Sequence, residues 1–314
     1  MAPTNRNTIV TERLNTLRLS LLMCSMIASA NMPAQDFASG DSLLADPDKT
    51  PPAAIPNPAI PTPPPEASPD PQQFFKDHFF GYEPFYFIAG PESPNARFQI
   101  SLRYQLLNNE GSLAHHVPPL KGLNLAYTQT SLWDWNAASK PFFDSSYMPE
   151  LMFLWPRVDR GRWSPRVRLD LQTAFLHESN GKSGLDSRSL NMLYLRPTLT
   201  LGNQDRFHLT LSPRLGCYVG GLVDNPDLPD YRGYADLRAS AGWTRSIQLA
   251  ATARLGDSFD RGSLQLDLTY PLSELFSGSL SIFLHAQYFT GYGESFLLYN
   301  QTSDAFRVGF SIYR

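Results

Sequence analysis

From about residue 82 to its end, the chain repeats one constraint: apolar and polar residues alternate with a period of two. Phe98, Ile100, Leu102, Tyr104 and Leu106 alternate with Gln99, Ser101, Arg103 and Gln105. A strand sends successive side chains to opposite faces, so each such segment is a ribbon with one apolar and one polar side. The pattern returns at Phe207, Leu209 and Leu211, at Leu264, Leu266, Leu268 and Tyr270, and at Phe306, Val308, Phe310 and Ile312. About a dozen segments of this kind, separated by turn residues such as Gly256-Asp257 and with no convincing amphipathic helix, predict an all-β meander.

Two architectures bury one face of such ribbons: a soluble sandwich and an antiparallel β-barrel that crosses a membrane. Segments of around ten residues, aromatics near strand ends and long connections alternating with short ones favour the transmembrane barrel. Arg103, Arg168, Asp170, Arg196, Arg254 and Asp267 fall mid-strand on the polar rows. A hydrogen-bonded barrel interior accepts them, and so does a water-facing sandwich surface, so the pattern alone leaves both open. At 314 residues the chain is long enough to close a barrel as one domain. Its 26 Lys+Arg against 29 Asp+Glu leave a net charge of −3, without the basic excess of a nucleic-acid-binding protein.

The first residues read as an export signal. Arg6, Arg13 and Arg18 precede the apolar stretch Leu19 to Ile27, which runs into the small residues Ala28-Ser29-Ala30, so residues 1–30 are expected to be a signal peptide. Eleven of the 25 positions from Pro47 to Pro71 are proline, which removes amide donors and blocks both helix and sheet. Residues 31–79 are therefore expected to be a proline-rich linker, and residues 80–314 the barrel.

Chemistry concentrates in one hairpin. In Val167 to Ser179 the odd positions Val167, Leu169, Leu171 and Phe175 form the apolar row, and His177 and Ser179 continue it. On the next strand Asn191 shares its parity with Leu193, Leu195, Leu199 and Leu201. In a barrel these three polar groups face lipid, which is costly unless they pair or serve a purpose. Residues two apart on a strand lie about 6.5 Å apart on one face, so the His177 imidazole can reach the Ser179 hydroxyl. A hairpin symmetric about Gly184 sets His177 opposite Asn191, whose amide oxygen can then accept the other imidazole N–H and fix the tautomer. On spacing alone, polar residues that merely meet the headgroup region are the competing reading.

The run His177-Glu178-Ser179-Asn180-Gly181, followed by Ser187-Arg188-Ser189-Leu190-Asn191, resembles the active-site signature of the outer membrane phospholipase A family. Tyr127 to Trp133, Ser139, Pro141-Phe142, Tyr147, Pro149-Glu150 and Gly291 to Ser295 extend the resemblance, in order, over roughly residues 80 to 314. The resemblance implies a barrel of about twelve antiparallel strands in a bacterial outer membrane, and a calcium-dependent phospholipid acyl hydrolase active as a homodimer. Ser179 would be the nucleophile, His177 the general base and then acid, and Asn191 the orienting residue. Ca2+ would be held by the Ser187 hydroxyl and main-chain oxygen, the Lys182 carbonyl, and the Ser139 carbonyl of the other subunit, an oxygen set suited to a hard cation. Gln129, a polar amide on the largely apolar row Leu123, Leu125, Tyr127, would lie at the dimer interface. Glu178, Lys182, Leu190 and the Ile312-Tyr313-Arg314 terminus depart from the family's usual residues. Glu178 is expected to point into the barrel by parity, and Leu190 to alter packing around Asn191. A passive narrow pore and a non-catalytic structural barrel are the competing functions.

Overall fold

A computed structural model describes residues 71–107, 116–203, 206–274, 276 and 281–314. The expected signal peptide and nearly all of the expected linker lie outside the described residues. The linker boundary at 79 is corrected at its end: Pro71–His78 forms a helix, α1, and Phe79 already belongs to the first strand. Proline at the first helical position sacrifices no helical hydrogen bond. The helix is held to the barrel by stacking, Phe75 on Phe79 at 4.8 Å and His78 on Tyr104 at 5.4 Å, and by His78 Nδ1 donating to the Gln105 carbonyl at 2.6 Å.

Thirteen strands follow: β1 (Phe79–Gly81), β2 (Phe85–Ala89), β3 (Ala96–Gln105), β4 (Leu123–Trp133), β5 (Phe142–Trp155), β6 (Val167–Ser179), β7 (Ser189–Gly202), β8 (Phe207–Tyr218), β9 (Ala235–Trp243), β10 (Gln248–Leu255), β11 (Gly262–Pro271), β12 (Phe283–Tyr292) and β13 (Thr302–Tyr313). Each pairs antiparallel with its neighbour, and pairing of β13 with β2 and of β3 with β4 closes the sheet. Both β1 and β2 run along β3, from Phe79↔Tyr104 to Gly81↔Leu102 and from Tyr86↔Gln99 to Ala89↔Ala96. They form one stave broken at residues 82–84, so the structure is the expected transmembrane antiparallel barrel of twelve staves. Closure pairs the backbone of one stave with the next around the ring, the condition for crossing a bilayer with strands.

Parity holds around the wall. On β4 the even residues Asn124, Ala126 and Thr128 are buried inside, whereas Leu125 on the odd row is exposed outside. Facing inward, Arg196 and Arg238 both meet Glu83, Arg214 meets Asp236, Asp267 accepts from His285 Nε2 at 2.9 Å, and Glu294 meets Arg307. Glu83 reaches this interior from the break between β1 and β2, where its N–H donates to Ser101 Oγ at 3.0 Å. Buried charge is tolerated when paired and hydrogen-bonded, which is how this lumen is filled. A polar cavity of about 340 Å³ remains among Arg196, Arg238, Arg254, Asp267 and His285.

Under the β6–β7 hairpin the lumen changes character. Ala174 and Leu176 of β6 and Leu190, Met192 and Tyr194 of β7 point inward into an apolar cluster. Leu228 of the short helix α2 (Leu228–Arg232), Phe296 and Tyr299 fold down from two connections to complete it. Leu190, 3 % exposed, fills this cluster directly beneath Asn191. The stave ends that carry His177, Ser179 and Asn191 therefore rest on packed side chains, which hold them more rigidly than water would.

Candidate active site

The β6–β7 register runs without a shift from Val167↔Leu201 to Ser179↔Ser189 and sets His177 opposite Asn191, as a hairpin symmetric about Gly184 requires. His177 Nδ1 stands 2.8 Å from Asn191 Oδ1. An amide oxygen only accepts, so Nδ1 carries the proton and the lone pair is left on Nε2. Ser179 lies on the same outward face, two residues along β6 and half-buried like its partners. No hydrogen bond joins His177 to Ser179 in this structure, so the expected trio is assembled as a bonded pair with the serine beside it. Apolar residues surround them on the lipid side, including the exposed Phe175 of β6 and Leu151 of β5.

Beyond Ser179 the chain turns through residues 180–188. Asn180, buried at 4 % exposure, organises this turn: Nδ2 donates to the Asp186 carbonyl at 2.8 Å, while Oδ1 accepts from the N–H groups of Lys182 at 3.2 Å and Arg188 at 3.0 Å. Gly181 has φ +68°, and a Cβ there would meet Tyr147 Cε2 at 2.9 Å, so both backbone and space demand glycine. Lys182 Nζ donates to the Phe143 carbonyl at 3.0 Å, tying the turn to β5. Ser187 Oγ donates to Asp224 Oδ2 at 2.8 Å, and Ser189 N–H donates to Asn225 Oδ1 at 3.0 Å. Ser187 and Lys182 are thus gathered in one turn. Ser139 sits apart, exposed at the β4–β5 connection with φ +67°, and among the described residues no hydrogen bond links it to that turn.

Three supports were not legible in the sequence. Asp224 approaches Ser187 from the β8–β9 connection, across 37 residues, with no local signal. Arg232 on α2 grips Glu178 through two hydrogen bonds of 3.1 and 3.0 Å, and Ser146 Oγ donates to the same carboxylate at 3.0 Å. Parity did place Glu178 inside, but not its partner. The connection from β12 to β13 docks through Asp144, whose Oδ2 accepts from Ser295 Oγ at 2.7 Å and from Leu297 N–H at 2.8 Å, and through Tyr299, whose hydroxyl donates to Asp227. Burial and the Asp227 carboxylate push the Tyr299 phenol well above its ordinary range.

Gln129 lies outward on β4, opposite Tyr147. Its Oε1 accepts from Tyr127 Oη at 3.0 Å and its Nε2 donates to Ser131 Oγ at 3.2 Å. The amide is therefore half satisfied within its own chain, with one N–H and one lone pair left to face outward.

A closed twelve-stave barrel with polar groups bonded to each other on its lipid-facing wall defines an integral outer-membrane protein with an enzyme-like site on its outside. The family profile described as Phospholipase A1 matches residues 84–312. Phospholipase A1 of Escherichia coli (strain K12) is 32 % identical over 215 residues, 68 % of this chain and 68 % of that protein. Phospholipase A1 of Salmonella typhimurium is 31 % identical over 224 residues, covering 69 % and 71 %. Among solved structures, outer membrane phospholipase A from Escherichia coli superposes with a TM-score of 0.61 at 25 % identity, over 74 % of this chain and 97 % of that one. A calcium-bound dimer of the Salmonella typhi outer membrane phospholipase gives 0.61 at 24 % identity, over 74 % and 91 %. The chain belongs to the phospholipase A1 family, a family of outer-membrane enzymes.

Proposed function

We propose that this chain is a calcium-dependent phospholipase of the A1/A2 and lysophospholipase type, hydrolysing acyl esters through Ser179, His177 and Asn191 from the lipid-facing wall. The observation that carries the reading is the His177 Nδ1 to Asn191 Oδ1 bond of 2.8 Å beside an outward serine, on a face that also exposes Phe175 and Leu151. Polar groups are retained at such a face when the substrate lies there.

A phospholipid in the surrounding bilayer lays its acyl chains along Phe175 and Leu151 and brings its ester to Ser179 without leaving the bilayer. Rotation of the Ser179 side chain brings Oγ to Nε2 of His177, the free lone pair. Oγ forms a bond to the ester carbon as His177 takes its proton. The C–O bond to the glycerol breaks, and His177 returns that proton to the departing alkoxide, leaving an acyl-serine. Water, deprotonated by the same nitrogen, releases the fatty acid and restores the serine. Asn191 keeps Nδ1 protonated throughout and steadies the imidazolium, as the acid does in related triads.

Residues of the 180–188 turn fit a calcium ion. Ser187 offers its hydroxyl and carbonyl and Lys182 its carbonyl, while Asp224, already bonded to Ser187 Oγ, adds the negative charge that a divalent cation favours. These donors are all oxygens, a hydroxyl, two carbonyls and a carboxylate, which is the chemistry of a hard cation. When bound, the ion supplies positive charge where negative charge develops on the ester oxygen. The exposed Ser139 carbonyl, carried on a left-handed turn, would complete the set from a second copy, with Gln129 pairing across the two-fold axis. The Salmonella typhi structure, a calcium-bound dimer, supports this assembly.

The lumen argues against a pore, because ion pairs from opposite walls cross it, including Glu83 with Arg196 and Arg238. The test is fatty-acid release from mixed micelles by the refolded chain, with calcium and with chelator. Release is expected only with calcium, and Ser179→Ala is expected to abolish it while keeping a heat-modifiable barrel. A Ser179→Ala protein that still releases fatty acid at the wild-type rate would falsify the assignment.

A further inference from the structure

Arg188 closes the turn to which calcium binding is assigned, directly before β7, and its guanidinium has no carboxylate partner among the described residues. Instead Nη1 donates to two main-chain oxygens, Ser187 at 2.6 Å and Leu185 at 2.9 Å. The group leans over the Tyr299 ring at 5.8 Å, and its buried Nε has no acceptor. A guanidinium is ordinarily used against carboxylate or phosphate. Two carboxylates of the β8–β9 connection are engaged elsewhere, Asp224 by Ser187 Oγ and Asp227 by the Tyr299 hydroxyl.

The Ser187 carbonyl is one of the oxygens proposed to hold calcium, and calcium sits 2.3–2.6 Å from such oxygens. Nη1 of Arg188 occupies that same range from the same atom. Two positive centres cannot share one oxygen at that distance without strong repulsion. We propose that Arg188 is a positioning residue that acts as a resident cation: it holds the Ser187 and Leu185 carbonyls when the ion is absent, and calcium must displace it. The inference rests on the calcium reading above. It makes calcium affinity a competition set within this chain rather than by ligand count alone. Tyr299 offers the displaced guanidinium a face to rest on, which couples the β12–β13 connection to ion binding.

The test is calorimetric titration of calcium into the refolded full-length chain in detergent micelles, for wild type, Arg188→Gln and Arg188→Lys. Removing the charge is expected to tighten calcium binding about tenfold, about 1.4 kcal/mol. Lysine keeps the charge and is expected to stay within about threefold of wild type. In chelator, Arg188→Gln is expected to melt below wild type because the turn loses its tether, with the difference closing at saturating calcium. Damage to the turn alone can only weaken binding, so tightening is a signature that a structural role does not give. Equal or weaker calcium binding in Arg188→Gln, with wild type binding normally, overturns the inference and leaves the calcium site standing. Absence of calcium binding in all three proteins overturns the calcium site itself.

Discussion

Replacing Asn191 by alanine isolates the contribution of tautomer control. The substitution removes the acceptor that stands 2.8 Å from His177 Nδ1 and leaves Ser179, the turn and the packed cluster beneath untouched. The bond is between neutral groups, both half-buried, so its net worth is about 1–1.5 kcal/mol, and each 1.4 kcal/mol is a factor of about ten in rate. Without the acceptor the proton also distributes between the two ring nitrogens, which removes part of the reactive tautomer and adds a further small factor. The expected loss in kcat is therefore about ten- to fiftyfold, well short of the roughly 10⁴-fold associated with a buried aspartate in this role. The amide is not charged and has less to offer the imidazolium. The assay is initial-rate fatty-acid release at saturating calcium, normalised to the folded fraction from heat-modifiable migration. KM is expected to stay within about twofold, because Asn191 contributes to the transition state rather than to lipid binding. Activity within twofold of wild type, or a loss as deep as that of Ser179→Ala, would rule out tautomer control as the role of Asn191.

Other perturbations probe the scaffold and the assembly. Gln129→Ala removes the outward amide, and its residual N–H and lone pair make about 1 kcal/mol the expected weakening of the dimer; fluorescence transfer between labelled copies in micelles should show about a fivefold shift, and an unchanged dimer constant removes Gln129 from the interface. Arg232→Met strands the buried Glu178 carboxylate and is expected to destabilise the barrel by about 3 kcal/mol in denaturant titrations, with activity falling as the β6–β7 ends loosen; wild-type stability would show that Glu178 is neutralised by other groups. Because the folded state raises the Tyr299 phenol above its ordinary value, the neutral hydroxyl's contribution is fully present below about pH 10 and is lost progressively as the pH climbs from there toward the raised value. Thermal melts across that range should fall more steeply in wild type than in Tyr299→Phe, and parallel curves would show that the Asp227 contact contributes nothing to stability.

The wall was legible before any folding. Alternation with period two is a local property, so it marked which residues of β6 and β7 face lipid and which face the lumen, including the inward Glu178. The equal spacing of His177 and Asn191 from Gly184 carried the register, because a hairpin with no bulge has only its turn to set it. The helix at Pro71–His78 was hidden by proline composition, since the aromatic stacking that holds it depends on strand β3, far along the chain. The tertiary structure alone decided what surrounds the site. Asp224 reaches Ser187, Arg232 reaches Glu178, and Tyr299 comes down beside Arg188, each from a connection whose path is set by barrel closure. Such contacts leave no periodic trace, because each joins single side chains across tens of residues. The resting cation on the Ser187 carbonyl is a local counterpart: Arg188 was plain in the motif, and its contact with oxygens one and three residues back was fixed only when the turn folded around Asn180.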